Sequence, residues 1–165
     1  MGLTSTISLY DSRWPALFLC ASEQIAAAFG AELVAIHHVG STAVPGLAAK
    51  PEIDLLIEVS AHLNEAHRDT VMRELGYVRG SDLSAGHHFY RRDVDGVRTH
   101  KAHVCLTGHR QIERMLRFRD RLRHDPVLRQ QYQDLKRELE ASNTGGIGEY
   151  LAKKAPFIDG VMGAD

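Results

Sequence analysis

Cysteine is scarce in this chain: Cys20 and Cys105 stand far apart and form no CxxC pair. Both read as reduced thiols, which points to a cytoplasmic protein rather than a disulfide scaffold. No segment approaches the ~18 consecutive apolar residues of a spanning helix, so no membrane partner is expected. The N-terminal stretch lacks a basic region followed by an apolar core, the pattern of a secretory leader. An excess of one charge is missing too. There are 20 Lys and Arg against 21 Asp and Glu, and no basic-aromatic stripe appears, so a polynucleotide partner is not expected. Gly46 is followed by Leu47 and Ala48, not by Lys and Ser/Thr, which excludes a Walker A loop. The 10 histidines show no HExxH or paired Cys/His spacing of a zinc site.

What is present suits one soluble domain over residues 1–165, with 44% hydrophobic and 25% charged residues. Asp11 or Ser12 caps a helix from Arg13 to Phe29, closed by Gly30. Leu33 to Val39 reads as a strand, and Ser41 to Pro51 as a loop with a helical turn. Glu52 to Val59 is a strand with Ile53, Leu55, Ile57 and Val59 on one face and Glu52, Asp54, Leu56 and Glu58 on the other. Ser60 is expected to cap a helix running to Leu75, stopped by Gly76, and Tyr77 to Arg79 starts a third strand. His87–Arg92 and Val97–Leu106 flank Asp93-Val94-Asp95-Gly96, a hairpin signal. From Thr107 on the pattern is helical, broken at His124-Asp125-Pro126 and at Ser142–Gly148.

The stretch VGSTAVPGLAAKPEIDLLIEV, Val39 to Val59, carries the chemistry. Glu52 and Asp54, two apart on a strand, point to one side, while the other face is apolar. Magnesium takes hard oxygen ligands and keeps positions free for phosphate oxygens. Metals held this way steady the attacking and leaving oxygens of a nucleotidyl transfer. Gly40 lets the backbone approach a phosphate, and the amides of Ser41 and Thr42 follow it. The competing reading is a solvated acidic pair on an exposed strand.

HVGSTAVPGLAAKPEIDLLIEV resembles the signature of the GrpB family, small bacterial proteins placed in the polymerase-β-like nucleotidyltransferase superfamily. That superfamily's motif is a hydrophobic residue, Gly, Gly or Ser, a spacer, and acid-hydrophobic-acid-hydrophobic. Val39-Gly40-Ser41 and Glu52-Ile53-Asp54-Leu55 fit it. The resemblance extends over nearly the whole chain, through Tyr10-Asp11, Trp14-Pro15, His88-Phe89, His103-Val104, Phe118-Arg119-Asp120, Tyr132, Lys136, Tyr150, Lys154 and Phe157. It implies an α+β fold, a mixed β-sheet of four or five strands with helices on one face and C-terminal helices closing a cleft. Two departures stand out: His37 precedes His38 where family members usually carry Glu, and Glu52 stands where they usually carry a hydrophobic residue. Active members of the superfamily commonly add a third carboxylate from a later strand. The aligned strand offers Thr99, Lys101 and His103, and no acid.

His103 is therefore a candidate metal ligand or substrate contact, against the commoner role of a hydrogen-bonded strand histidine. His38, just before the Gly-Ser turn, is placed near whatever binds there. In HRQIERMLRFRDRLRH, Ile112, Met115, Leu116 and Leu122 form one stripe, with Arg110, Arg114, Arg117 and Arg121 on a solvated face. Arg119 and Arg123 fall within the apolar stripe, where arginine needs a partner. Either an internal ion pair satisfies them or they grip an anion in a cleft, and the resemblance favours the cleft. Lys50 and Lys154 are placed to reach the same anion. Lys136 is expected to pack its stem over the core with its charge in water.

These readings combine into a nucleotidyltransferase-like enzyme acting on a nucleoside triphosphate and a small-molecule acceptor with Mg2+ or Mn2+. Glu52, Asp54 and His103 would hold metal. His38, Gly40, Ser41, Thr42, Lys50, His103, Arg119, Arg123 and Lys154 would bind phosphates or substrate. Two alternatives share the cleft: a non-catalytic nucleotide- or anion-binding module, and an ATP-dependent ligase.

Overall fold

The apolar face of the acidic strand lies at the centre of the molecule. In the structure, a computed structural model describing residues 6–162, strand β2 (Ile53–Val59) pairs antiparallel with β1 (Leu33–Val39) and parallel with β5 (Val97–Leu106). The start of the N-terminal stretch discussed above lies outside those residues. Strands β4 (His87–Val94) and β3 (Tyr77–Arg79) extend the sheet, giving the order β1-β2-β5-β4-β3. The β4–β5 hairpin turns on Asp95 and Gly96, both at positive φ (53° and 79°). A two-residue turn of that kind matches the strands' twist, and it lets β4 run two residues further than Arg92.

Helices α1 (Trp14–Phe29) and α2 (Glu65–Glu74) cover one face. Ile53, Leu55, Ile57 and Val59 pack there with Trp14, Ile25, Phe29, Met72 and Tyr90. Complete burial of each such side chain stabilises the fold by roughly 1.5–3 kcal/mol. The expected cap at Ser60 does not form, and α2 starts at Glu65. The intervening residues are tied to Glu32 instead: its carbonyl accepts from Ser60 N–H at 2.8 Å and its carboxylate from Leu63 N–H at 2.9 Å.

The opposite face receives α3 (Arg110–His124), α4 (Pro126–Ala141) and α5 (Ile147–Met162). Asp125 caps α4 through Leu128 N–H at 3.0 Å, with Pro126 in the first turn, as the sequence pattern requires. Leu56 and Cys105 pack against Ile112, Met115 and Leu116 of α3. Val44 and Leu47 of the loop after β1 pack against Leu122 and Tyr132. The sheet is thus helix-covered on both faces, and Glu52 and Asp54 open onto the side closed by α4 and α5. Among the described residues, no helix is long and apolar enough to cross a membrane.

Candidate functional site

Gly40 follows β1 at φ +75°, and a Cβ built on it would lie 2.1 Å from Asp54 Oδ2. Only glycine fits, because of both the backbone conformation and the carboxylate beside it. Gly40 therefore makes room for Asp54. A 3-10 turn over Ser41–Ala43 follows. Thr42 Oγ1 donates to the Glu52 carbonyl at 3.1 Å, so its contact with His38 Nε2 at 2.9 Å has the imidazole donating. This chain of contacts ties the start of the spacer to its end. His38 stacks on Phe18 at 4.8 Å, and burial holds it neutral, with a pKa of about 4. It supports the turn from behind and lines neither of the two cavities described next.

Four lysines surround the acidic pair. Lys101 stands opposite Asp54 in the β2–β5 register, with Nζ 3.6 Å from Asp54 Oδ1 and 3.7 Å from Glu52 Oε1. Asp54 Oδ1 is buried and makes no hydrogen bond; burial raises the carboxyl's pKa, and Lys101 opposes that rise. The Asp54 charge in turn raises Lys101. Lys50 Nζ lies 4.0 Å from the centre of the Tyr150 ring and Lys154 Nζ 5.2 Å from it. Lys136 is only 3% exposed and donates to Ser41 Oγ at 2.8 Å. The expected solvated charge at Lys136 is thus corrected: its helical offset of four from Tyr132 puts it on the buried stripe of α4. Burial lowers Lys136 to about 7 and Lys154 to about 8. These residues, with Thr42, enclose a narrow pocket of about 60 Å³.

A second cavity of about 250 Å³ lies against the same wall, sharing Ser41, Asp54 and Lys154. His103 belongs to it and not to the lysine pocket. It is hydrogen-bonded to His87 (Nδ1 to Nε2, 3.0 Å), and burial holds it near pKa 3. Among the described residues, His103, Glu52 and Asp54 do not form a cluster that could hold a metal ion. Arg114, expected on a solvated face, also lines this cavity and is ion-paired with Asp159. Arg119 and Arg123 line neither cavity. Arg119 donates to the His38 carbonyl at 3.2 Å and pairs with Asp120 at 2.9 Å; Arg123 donates to the Ala43 carbonyl at 2.9 Å. They brace the end of β1 and the turn after it through backbone carbonyls. A wider open groove of about 770 Å³ runs beside α3 past Glu58 and His109, and contains no residue of the turn.

The fold and the acid pair together imply a divalent metal, and the residues do not fit one. Magnesium requires oxygen donors. Here the neighbours of the two carboxylates are ammonium groups, and among the described residues no cluster of three or more His, Cys, Asp or Glu could hold a metal ion. The unbonded Asp54 Oδ1 does face a cation, and that cation is Lys101. Lys101 shares a strand face with His103, so its side was legible. Its place beside Asp54 was not, because that depends on which strand pairs with β2.

Comparison with known proteins agrees with this architecture. The crystal structure of conserved protein GrpB from Enterococcus faecalis superposes with a TM-score of 0.81 at 25% identity, over 96% of this chain and 100% of that one. A crystal structure of the Cid1 poly(U) polymerase with MgGTP bound superposes with a TM-score of 0.56 at 12% identity, over 89% of this chain and 50% of that one. That likeness is one of fold, and the fold is nucleotidyltransferase-like. UPF0157 protein YqkA of Bacillus subtilis (strain 168) is 38% identical over 153 residues, 92% of this chain but 44% of YqkA. The chain thus spans less than half the length of that relative. The profile of the family described as GrpB protein matches residues 4–163, and the chain belongs to the GrpB family.

Proposed function

We propose that the chain binds a phosphorylated small molecule through one phosphoryl group in the lysine pocket, without a divalent metal. The observation that carries this reading is the position of Lys101, whose ammonium lies within 3.7 Å of both carboxylates that would otherwise take the metal. Lys101 offsets one of the two carboxylate charges, and Lys50, Lys136 and Lys154 more than offset the other and supply the attraction for an oxyanion. A water molecule's share of liquid volume is about 30 Å³, so a pocket of about 60 Å³ suits a single phosphoryl group. Charge-assisted hydrogen bonds from lysine to phosphate are the strong ones. Because Lys136 and Lys154 have depressed pKa values, an arriving dianion draws protons onto them and strengthens its own binding.

The test is calorimetry with inorganic phosphate, pyrophosphate and the four nucleoside triphosphates, each with EDTA and with Mg2+ or Mn2+. Wild type, Lys154→Gln and Asp54→Ala are compared. Metal-free phosphate binding, weakened about tenfold or more in Lys154→Gln, is the expected result. A correctly folded protein that binds no phosphate compound without metal refutes the reading. One observation favours a second reading, nucleotidyl transfer to a small acceptor: the unbonded Asp54 Oδ1 at the mouth of a strand on this fold. Triphosphate binding that requires metal and is lost in Asp54→Ala would support it and justify a screen for the acceptor.

A further inference from the structure

The cavity behind Asp54 says what the phosphate is attached to. We propose that the ligand is a phosphate monoester whose ester group is a single uncharged, ring-sized apolar body, seated in the 250 Å³ chamber. This rests on the reading of the lysine pocket given above.

The two cavities share Ser41, Asp54 and Lys154 in their linings, so they lie side by side, and the body bonded to a phosphoryl group in one is within reach of the other. The chamber is lined by Val39, Met115, Phe118, Tyr132 and Ile158. A dry apolar cavity of about 150 Å³ takes a benzene ring. A chamber of about 250 Å³ therefore has room for a ring with small substituents. Such lining gains from apolar surface removed from water, at roughly 25 cal/mol per Å².

The charges in the chamber exclude a charged body. Arg114 is already ion-paired with Asp159, the His103 imidazole is neutral and hydrogen-bonded to His87, and Lys154, shared with the lysine pocket, is taken up by the phosphoryl group. Asp54 faces Lys101. Gln111, in the lining, supplies an uncharged polar contact for a hydroxyl or carbonyl on the ring. The result is a bipartite site: ammonium groups hold the phosphoryl end, and α3 and α5 hold the ring.

The experiment is calorimetry in EDTA with inorganic phosphate, methyl phosphate and phenyl phosphate. Phenyl phosphate is expected to bind at least tenfold more tightly than methyl phosphate. Met115→Trp, which fills the chamber, should abolish that advantage. Should Met115→Trp not fold, Ile158→Phe fills the chamber from α5 and serves the same purpose. Equal affinity for methyl and phenyl phosphate in wild type, or an advantage that survives a filled chamber, overturns the ring assignment while the lysine pocket stands. Failure of all three phosphates to bind overturns both.

Discussion

Replacing Lys101 by alanine isolates the feature on which the functional reading turns. At an effective dielectric constant of about 20, opposite charges 3.6–3.7 Å apart attract by roughly 4–5 kcal/mol. Much of that offsets the desolvation of the three groups, so the gross figure is not the stability of the cluster. Removing one partner of a buried pair costs about 3–5 kcal/mol. Lys101 is 28% exposed, which screens the interaction and brings the expected loss in Lys101→Ala to about 2–3 kcal/mol at pH 7. Urea unfolding measures it. The loss should shrink on acidification. Asp54 already has a folded-state pKa above its unfolded value, and the variant raises it further. The folded state then binds more protons than the unfolded one, so the variant loses stability as pH rises from about 4 through the folded pKa. Removing Lys101 also leaves two carboxylates with room for a cation. Mn2+ at a hundredfold excess over its dissociation constant would return about 2.7 kcal/mol, in the variant and not in wild type. Equal stability of wild type and variant, or equal Mn2+ stabilisation of both, would refute the argument that Lys101 stands in for a metal.

Lys136→Met should raise stability by roughly 2–3 kcal/mol at pH 6 while abolishing phosphate binding. The folded-state pKa of Lys136, about 7, lies below its unfolded value, so its cost is complete below pH 7 and fades as pH rises toward 10.5; the gain in the variant, read by thermal unfolding, fades over the same range. Phosphate binding at pH 8 should take up protons, because Lys136 and Lys154 are partly neutral before it arrives; calorimetry in buffers of different ionisation enthalpy measures the number. Arg119→Ala and Arg123→Ala should each cost about 1 kcal/mol through lost backbone hydrogen bonds. Phosphate affinity in these two variants should stay at the wild-type value, since neither side chain reaches the pocket.

Local pattern accounts for much of this architecture. The alternation in β2 separates its core face from Asp54 and Leu56, and Asp125-Pro126 marks the start of α4. What resisted reading lies in pairings made across the chain. Lys101 meets Asp54 because β5 lies parallel to β2 after α2, β3 and β4 have intervened, and no local period encodes that register. Arg119 was legible as a half-buried side chain needing a partner, but carbonyl oxygens serve as well as carboxylate or phosphate, and backbone geometry leaves no mark in composition. The start of α2 is displaced because Glu32, far upstream, takes the N–H groups that a local cap at Ser60 would have organised. Lys136 carried a usable signal, since it follows Leu128 and Tyr132 on one helical stripe.

The contact between Gly40 and Asp54 makes the two positions a single heritable unit. A side chain at residue 40 would occupy the space of the carboxylate at 54, so neither can drift alone while the acid is retained. Once the acid at 54 gives way to a smaller residue, the carboxylate clash is gone, and what still constrains residue 40 is the left-handed backbone and the Cβ at 54, 3.1 Å from a Cβ at 40. Across chains of this fold, substitutions at the glycine should therefore be found together with loss of the acid, so a side chain at residue 40 should mark a chain that has lost it.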